Sequence, residues 1–367
     1  MAAGGTSKNG HQVGIEQVSQ RFADQLAVND VSISVGEGEL VALLGPSGCG
    51  KSTLLRIVPG FIRQTSGRIL FDGASVDHLA ANRRGVGIVF QNYALFPHMT
   101  VRENIAYGLQ ARKWNRAEIA PRVDEMLARV QMSAFGERTP RQLSGGQQQR
   151  IALARCLATD PKVLLLDEPF AALDKNLRFG MQVEIKRLQR EYGITTIMVT
   201  HDQEEALSMA DRIAVMNKGH LEQIAAPTEI YDNPATLFVN QFVGASNLLP
   251  GTLVSADAES SLIRLDNGAT LRAGRPRGVA AGARVVVTLR PEQIILSASA
   301  TDFALAGRIA SVMPLGPQIA YEVELSTTVP TALKIIVPRG GAEGARGIGE
   351  TVFATPAAPS ACHVFAA

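Results

Sequence analysis

The spacing of apolar residues changes character along this chain. Up to about residue 244, short apolar runs alternate with longer stretches of helical period. Leu40–Leu44 and Val163–Leu166 are uninterrupted apolar runs, the mark of strands buried on both faces. Val13–Val18, Val31–Val35, Arg68–Phe71, Gly85–Phe90 and Thr195–Val199 also read as strands, with Gly36-Glu37-Gly38 and Asp72-Gly73 as turns. Helical spacing covers Ser52–Val58, Val101–Val130, Gly146–Leu157, Asn176–Tyr192 and Gln203–Met209, and within it polar Arg116–Arg129 reads as an exposed amphipathic helix. Strands alternating with helices predict an α/β fold with a parallel core. After about Gly244 the helical period disappears. Arg284–Leu289, Ile294–Leu296, Ile319–Leu325, Leu333–Val337 and Thr351–Ala354 are strand-like, with Gly and Pro between them, and predict a separate small all-β domain built as an OB-like barrel.

Composition narrows the class. A chain of 367 residues with 46% hydrophobic and 19% charged residues can bury a sizeable core, and its length suggests two domains. Thirty-six basic against 34 acidic residues leave a net charge of +2, so electrostatics makes no case for nucleic acid as a partner. Cys49, Cys156 and Cys362 form no CxxC pair and no disulfide framework, which fits a reducing compartment. No run approaches the ~18 apolar residues that span a bilayer. Residues 1–12 read as a mobile tail without the apolar stretch of a signal peptide.

The chemistry is concentrated in a few segments. Gly45-Pro46-Ser47-Gly48-Cys49-Gly50-Lys51-Ser52-Thr53 follows an apolar strand and opens a helix, the arrangement of a phosphate-binding P-loop. Glycines let successive N–H groups turn toward one anion. Lys51 is placed for the β- and γ-phosphates and the Ser52 hydroxyl for Mg²⁺. Cys49 is either a small residue tolerated in the loop or a thiol that ATP would shield. Val163–Leu166 ends in Asp167 and Glu168, so a buried strand delivers two carboxylates to the sheet edge where ligands bind in open α/β folds. Asp167 suits a metal, and Glu168 suits an attacking water. Leu143-Ser144-Gly145-Gly146-Gln147-Gln148-Gln149-Arg150 reads as a second anion cradle, with Ser144 capping a helix N-terminus.

That last segment resembles the signature motif of the ATP-binding cassette (ABC) family, and the resemblance spans residues 13–242. It implies a P-loop NTPase cassette with antiparallel β and α-helical subdomains, the helical one at about 92–158. The β domain at 243–367 resembles the TOBE-type accessory domain of import cassettes, through Leu289-Arg290-Pro291-Glu292 and Gly307–Leu325. The family's roles transfer residue by residue. Gln91 matches the Q-loop glutamine that links metal and γ-phosphate to the transporter interface. Ala171-Ala172-Leu173-Asp174 matches the D-loop, with Ala171 where Ser is usual. His201 matches the switch histidine on the γ-phosphate. Phe22 matches the aromatic that stacks on adenine, where Tyr is commoner. Pro59-Gly60 departs from the usual Ala-Gly and should end the first helix by Val58. Tyr93, Leu95, Phe96 and Met99 form either a groove for a membrane subunit or interior packing.

The resemblance also implies assembly. ATP would be sandwiched between the P-loop of one copy and Ser144, Gly145 and Gly146 of a second in a head-to-tail homodimer. Two integral membrane permease subunits and an extracytoplasmic substrate-binding protein would complete a bacterial importer, with this subunit peripheral on the cytoplasmic face of the inner membrane. Phe242–Asn247 looks more like the polyamine, ferric-ion and aminophosphonate importers than the sugar importers, which remain the alternative. A soluble cassette ATPase of the DNA-repair type would need a long coiled coil between Thr53 and Gly145. The stretch is too short and lacks sustained heptads. A regulatory module that captures a partner through residues 245–367 is the third class.

Overall fold

The computed structural model describes residues 10–276, 278–326, 329–340 and 346–367. Of the tail expected at 1–12, residues 1–9 lie outside the described ones. His11 Nδ1 lies 2.5 Å from Asp72 Oδ2, and the Gln12 N–H donates to Asp72 Oδ1 at 3.0 Å. The chain divides into two units, one ending at Asn233 and the other starting at Pro234. Among the described residues no helix is long and apolar enough to cross a membrane.

In the first unit, β1 (Val13–Phe22) and β2 (Gln25–Val35) form a hairpin, and β3 (Leu40–Leu44) leads into α1 (Lys51–Ile57). β4 (Ser66–Phe71), β5 (Ala74–Ser75) and β6 (Val86–Val89) precede three helices, α2 (Val101–Ala111), α3 (Arg116–Arg129) and α4 (Gly145–Ala158). There follow β7 (Val163–Asp167), α5 (Lys175–Tyr192), β8 (Thr195–Thr200), α6 (Gln203–Met209), β9 (Arg212–Asn217), β10 (His220–Ala225) and α7 (Pro227–Asp232). The strands make an antiparallel sheet of order β2-β1-β4-β5 and a second sheet of order β10-β9-β3-β8-β7-β6. From β9 to β6 the second sheet is parallel, and β10 closes its edge antiparallel.

The two sheets share one core. Val13, Ile15, Val31 and Ile33 of the antiparallel sheet join Leu54 and Ile57 of α1 and Leu43, Leu165 and Val199 of the parallel sheet. β3 is buried along its whole length, as an uninterrupted apolar run requires, and β8 is buried throughout although Thr195, Thr196 and Thr200 interrupt its apolar centre. α1 stops at Ile57, just ahead of Pro59, and its end is closed by a distant side chain. Arg84, almost fully buried, donates through Nη1 to Ile57 O (3.2 Å) and Val58 O (2.9 Å) and through Nε to Leu79 O (3.2 Å). Ile57 O thus accepts Arg84 beside the Gly60 N–H, and Arg84 supplies a donor to Val58 O past the helix end. A Cβ at residue 60 would lie 2.7 Å from this guanidinium, which explains Gly60.

α3 is tied to α5 by charge. Arg129 pairs with Glu125 (3.0 Å) and with Glu191, stacks over the Tyr192 ring at 5.1 Å, and receives the Arg187 Nη2 bond on its carbonyl at 3.0 Å. Burial pushes the Tyr192 hydroxyl up to about 12, so it stays a donor and reaches Met126 Sδ at 3.6 Å.

The second unit opens with α8 (Leu237–Phe242). Its strands are β11 (Asn247–Ala256), β12 (Ser260–Leu265), β13 (Thr270–Gly274), β14 (Arg284–Leu289), β15 (Ile294–Ser297), β16 (Leu305–Pro314), β17 (Gln318–Leu325), β18 (Ala332–Pro338), β19 (Thr351–Pro356) and β20 (Cys362–Ala366). They form two five-stranded antiparallel sheets, β13-β12-β11-β14-β20 and β15-β19-β16-β17-β18. The end strands of each come together, β13 against β20 and β15 against β18, so each sheet curls nearly into a barrel. The expected small barrel is therefore a pair of barrel-like sheets around one apolar core that runs from Leu249 to Val364.

Two buried polar residues hold this unit in register. Asn247 bridges the sheets: Nδ2 donates to Leu289 O (3.2 Å) and Lys334 O (2.8 Å), and Oδ1 accepts from Lys334 N (2.7 Å). Arg290, 1% exposed, donates through Nη1 to Asn240 O (3.0 Å), Ala245 O (3.1 Å) and Ser246 Oγ (3.0 Å), pinning α8 to the end of β14. Arg290→Met keeps the bulk and strands these acceptors. The unit should lose about 2–3 kcal/mol. Chemical denaturation of the full chain should show a second-unit transition at lower denaturant; an unchanged midpoint would remove Arg290 from the stability of this unit.

Candidate active site

Four neighbouring parallel strands end at one edge. In β3 and β8 Leu44 stands opposite Thr200, in β8 and β7 Val199 opposite Asp167, and in β7 and β6 Leu166 opposite Val89. The residues that follow are Gly45, His201, Glu168 and, two positions beyond Val89, Gln91. Four of the segments singled out from the sequence thus leave the sheet side by side, although they span 45–201 in the chain.

The loop between β3 and α1 is constrained at three glycines, each for its own reason. At Gly45 a Cβ would stand 2.3 Å from Met216 O and 2.7 Å from Cys49 Sγ. Gly48 has open space around it but a φ of +79°. At Gly50, φ is +103° and a Cβ would meet Ala27 O at 2.4 Å. Only glycine meets these demands without strain. β9 and β2 therefore shape the phosphate loop from both sides through backbone carbonyls.

Lys51 is 6% exposed. Its ammonium donates to Gly45 O (2.6 Å) and Pro46 O (2.9 Å) and lies 3.7 Å from Cys49 Sγ. A buried ammonium is costly unless charge compensates it. The carbonyls share its protons but carry no net charge, so the loop is electrostatically primed for an anion. Cys49 is buried beneath the loop, so its thiol packs as a small apolar group. Ser52 and Thr53 sit in the first turn of α1.

Asp167 closes β7. Burial pushes its carboxyl above the ordinary range and Glu168 adds to this, while Arg56 opposes both. Glu168 adopts φ +45°, unusual for a residue with a side chain, and its N–H donates to Val199 O at 3.0 Å. The kink turns the side chain toward the next strand, where Glu168 Oε2 lies 3.2 Å from His201 Nδ1. Two residues assigned separate roles from the sequence are in contact. A strained backbone at such a place is typical of functional sites.

The turn after Glu168 continues to the D-loop. Ala171 N donates to Glu168 O (3.2 Å), and Asp174 caps α5 by accepting from Leu177 N at 3.0 Å. Asp174 is thus a helix cap in this chain. Ser144 caps α4 in a reciprocal box: its hydroxyl accepts from Gln147 N (3.4 Å), and Gln147 Oε1 accepts from Ser144 N (2.9 Å). A Cβ at Gly145 would touch Leu173 at 3.5 Å, so the signature segment rests on the D-loop of its own chain. At Gly146 a Cβ would meet nothing within 4 Å. Packing inside the chain therefore does not require that glycine, although glycine inside a helix costs about 1 kcal/mol against alanine.

Phe22 ends β1 opposite Gln25 and is 46% exposed, on the hairpin whose Ala27 carbonyl overlies Gly50. Gln91 is exposed. The apolar group beyond it divides. Tyr93 is buried, whereas Leu95, Phe96 and Met99 are half-buried. Phe96 stacks on exposed Tyr107 with ring centroids 4.5 Å apart and lies under Arg155 at 5.6 Å. Asn104, fully buried, shapes this loop by accepting from Phe96 N (2.8 Å) and donating to Phe96 O, Met99 O and Thr100 O.

Sequence reasoning missed the support behind His201. Thr200, Asp202 and Glu205 bond to one another beside it, and Arg178 joins them from α5. The signal was a cluster of charges close to the histidine, which reads equally well as a solvated helix start.

Comparison with known proteins agrees with this geometry. The ABC transporter family profile matches residues 28–171, and the TOBE domain profile matches residues 287–365. The spermidine/putrescine import ATP-binding protein of Rubrobacter xylanophilus is 49% identical over 311 residues, 84% of this chain and 82% of that one. Its counterpart from Pseudomonas fluorescens is 46% identical over 352 residues, 95% of this chain and 96% of that one. Among solved structures, CbiO1 from Clostridium perfringens, part of the ABC transporter complex cbiONQ, aligns with a TM-score of 0.57 and 33% identity, covering 61% of this chain and 91% of that one. With a P-loop that holds an uncompensated lysine, an acid–histidine pair at the same sheet edge and near-full-length relatives at this identity, the chain belongs to the ABC transporter family as an ATP-binding subunit, an ATPase coupled to transport.

Proposed function

We propose that this protein is the ATPase of a bacterial polyamine importer, with spermidine or putrescine as cargo. The substrate class rests on the names of relatives that align along nearly the whole chain. For the chemistry, the observation that carries the reading is the in-register ending of β3, β8, β7 and β6, from which the loop of Gly45 to Lys51, His201, Glu168 and Gln91 leave one sheet edge. ATP lies with its phosphates in the loop from Gly45 to Thr53, and Phe22 stacks on the base. Ser52, Gln91 and Asp167 offer a hydroxyl, an amide oxygen and a carboxylate, the hard oxygen donors that suit Mg²⁺. Bound there, Mg²⁺ would neutralise charge on the β- and γ-phosphates.

Glu168 orients the attacking water and takes its proton, and His201 holds the γ-phosphate while steadying Glu168. The site is completed by a second copy, whose Ser144, Gly145 and Gly146 approach the same phosphates. The exposed Ser144 at the N-terminus of α4 supports this, since a helix N-terminus attracts an anion. Two such copies sit peripherally under two permease subunits on the cytoplasmic face, which receive cargo from a binding protein. The half-buried Leu95, Phe96 and Met99, beside Tyr107, form the docking surface toward the permease.

Lys51→Ala should abolish hydrolysis and weaken nucleotide binding, because the phosphates lose a buried charge-assisted contact; retained turnover of the purified protein would exclude Lys51 from the mechanism. Phe22→Ala should raise the Kd for ATP by roughly tenfold, the scale of one base–aromatic stack, with Phe22→Tyr close to wild type. A fluorescent ATP analogue measures both.

Glu168→Gln should bind ATP–Mg²⁺ without hydrolysis and accumulate as a closed dimer, and adding Ser144→Arg should prevent closure. Spin labels on opposing P-loop and signature segments report the distance; if ATP leaves it unchanged in the Glu168→Gln protein, the sandwich is wrong. For the cargo, a deletion strain should lose uptake of labelled spermidine or putrescine and regain it with the wild-type gene but not with Glu168→Gln. Intact polyamine uptake in the deletion strain would discard that substrate class.

A further inference from the structure

Behind the Glu168–His201 contact lies a closed circuit of bonds. The Thr200 hydroxyl donates to Glu205 Oε2 at 2.5 Å and accepts from Asp202 N at 3.0 Å. Asp202 Oδ1 caps α6 by accepting from Glu204 N (2.9 Å) and Glu205 N (3.2 Å). Arg178 enters from α5. Its Nη1 donates to Asp202 Oδ2 at 2.8 Å and lies 3.7 Å from Glu205 Oε1, while Nη2 reaches Leu173 O in the D-loop at 3.5 Å. The Arg178 N–H also donates to Asp174 O at 2.9 Å. From the D-loop the chain of bonds returns through Ala171 N and Glu168 O to Glu168, and from there to His201.

The charges in this circuit are not decorative. Glu205 is only 4% exposed, and burial pushes its carboxyl upward against the Thr200 bond. One guanidinium serves two carboxylates and a carbonyl, using the planar fork that lysine lacks. The pair with Asp202 is partly exposed and adds modestly to stability, whereas the Glu205 carboxylate is buried. Yet this cation joins the D-loop turn, 171–174, to the turn that carries His201. Both turns flank Glu168, whose φ of +45° is held only by what surrounds it.

We infer that Arg178 is a positioning residue for hydrolysis: by clamping the D-loop turn to Asp202 and Glu205 it sets His201 against Glu168. The inference rests on the roles proposed above for those two residues. Because the bonds of Arg178 among the described residues run to Asp202, Glu205 and the D-loop and not to the loop of Gly45–Thr53 or to Phe22, its loss should act on turnover and spare nucleotide affinity. A displacement of about 1 Å at a catalytic pair is enough to cost up to a hundredfold.

The test uses the full-length protein with Arg178→Ala, Arg178→Lys, His201→Ala and Glu168→Gln. Arg178→Ala should lower kcat for ATP by about tenfold or more and leave KM within about twofold. Its Kd for a fluorescent ATP analogue should match wild type. Amide exchange should quicken at 200–205 and stay unchanged along Val163–Asp167. Arg178→Lys, which keeps the charge without the fork, should recover part of kcat. Wild-type kcat and exchange in Arg178→Ala, alongside inactive His201→Ala and Glu168→Gln, would overturn the inference alone. So would a variant that loses affinity, thermal stability and amide protection throughout the first unit, since that marks a general structural role. If His201→Ala and Glu168→Gln both turn over like wild type, the proposed roles fail, and this inference falls with them.

Discussion

Register between parallel strands is the constraint on which this molecule depends. β6, β7, β8 and β3 are hydrogen-bonded neighbours, and their last residues are aligned to within a position. In a parallel sheet a slip of one residue turns every side chain to the other face. Here it would also withdraw one catalytic loop from the edge relative to its neighbours. The uninterrupted burial of β3 and β8 keeps that register, because both faces are packed and the buried threonine hydroxyls of β8 are held by hydrogen bonds.

Backbone carbonyls do much of the shaping around that edge. Met216 O and Ala27 O press on the phosphate loop where side chains would collide, so the β9 and β2 strands decide which residues can be glycine. Lys51 is folded onto the same loop and held by the Gly45 and Pro46 carbonyls and the Cys49 sulfur, none of which carries a formal charge here. The opposite wall is built from caps. Asp174, Asp202 and Ser144 each end a loop by starting a helix, and each loop so fixed carries a residue of the site. Capping is worth about 1 kcal/mol per residue. Its larger effect here is to set where a loop stops.

The second unit solves a different problem. Ten strands in two sheets would expose edges, and bringing the end strands of each sheet close together shelters them. Buried Asn247 and Arg290 select one arrangement, since any shift would strand their bonds in an apolar interior. The Leu289-Arg290-Pro291-Glu292 element that marks this domain in the sequence is therefore a structural clamp, in which Arg290 secures α8 to β14.

Much of this could be read from residue order, wherever a local rule decides. Four of the five parallel strands were legible to within a residue or two, β9 (Arg212–Asn217) was not, and Gln203–Met209 and Arg284–Leu289 have the bounds that their spacing indicates. Gly-rich loop chemistry pointed to a candidate phosphate site, because glycine, lysine and serine at fixed offsets have few other uses. Strands of mixed pattern were missed. Asn247–Ala256 contains Pro250 and Gly251, and Cys362–Ala366 is too short to show alternation, so the first becomes a strand by pairing with β12 and β14 and the second by pairing with β14. Tyr93 and Phe96 were indistinguishable in sequence, and only packing put the first inside and left the second partly open. The Arg178 circuit was invisible for the same reason: its members come from α5, β8 and α6, and a charged residue declares its partner only when folding brings that partner within hydrogen-bond reach.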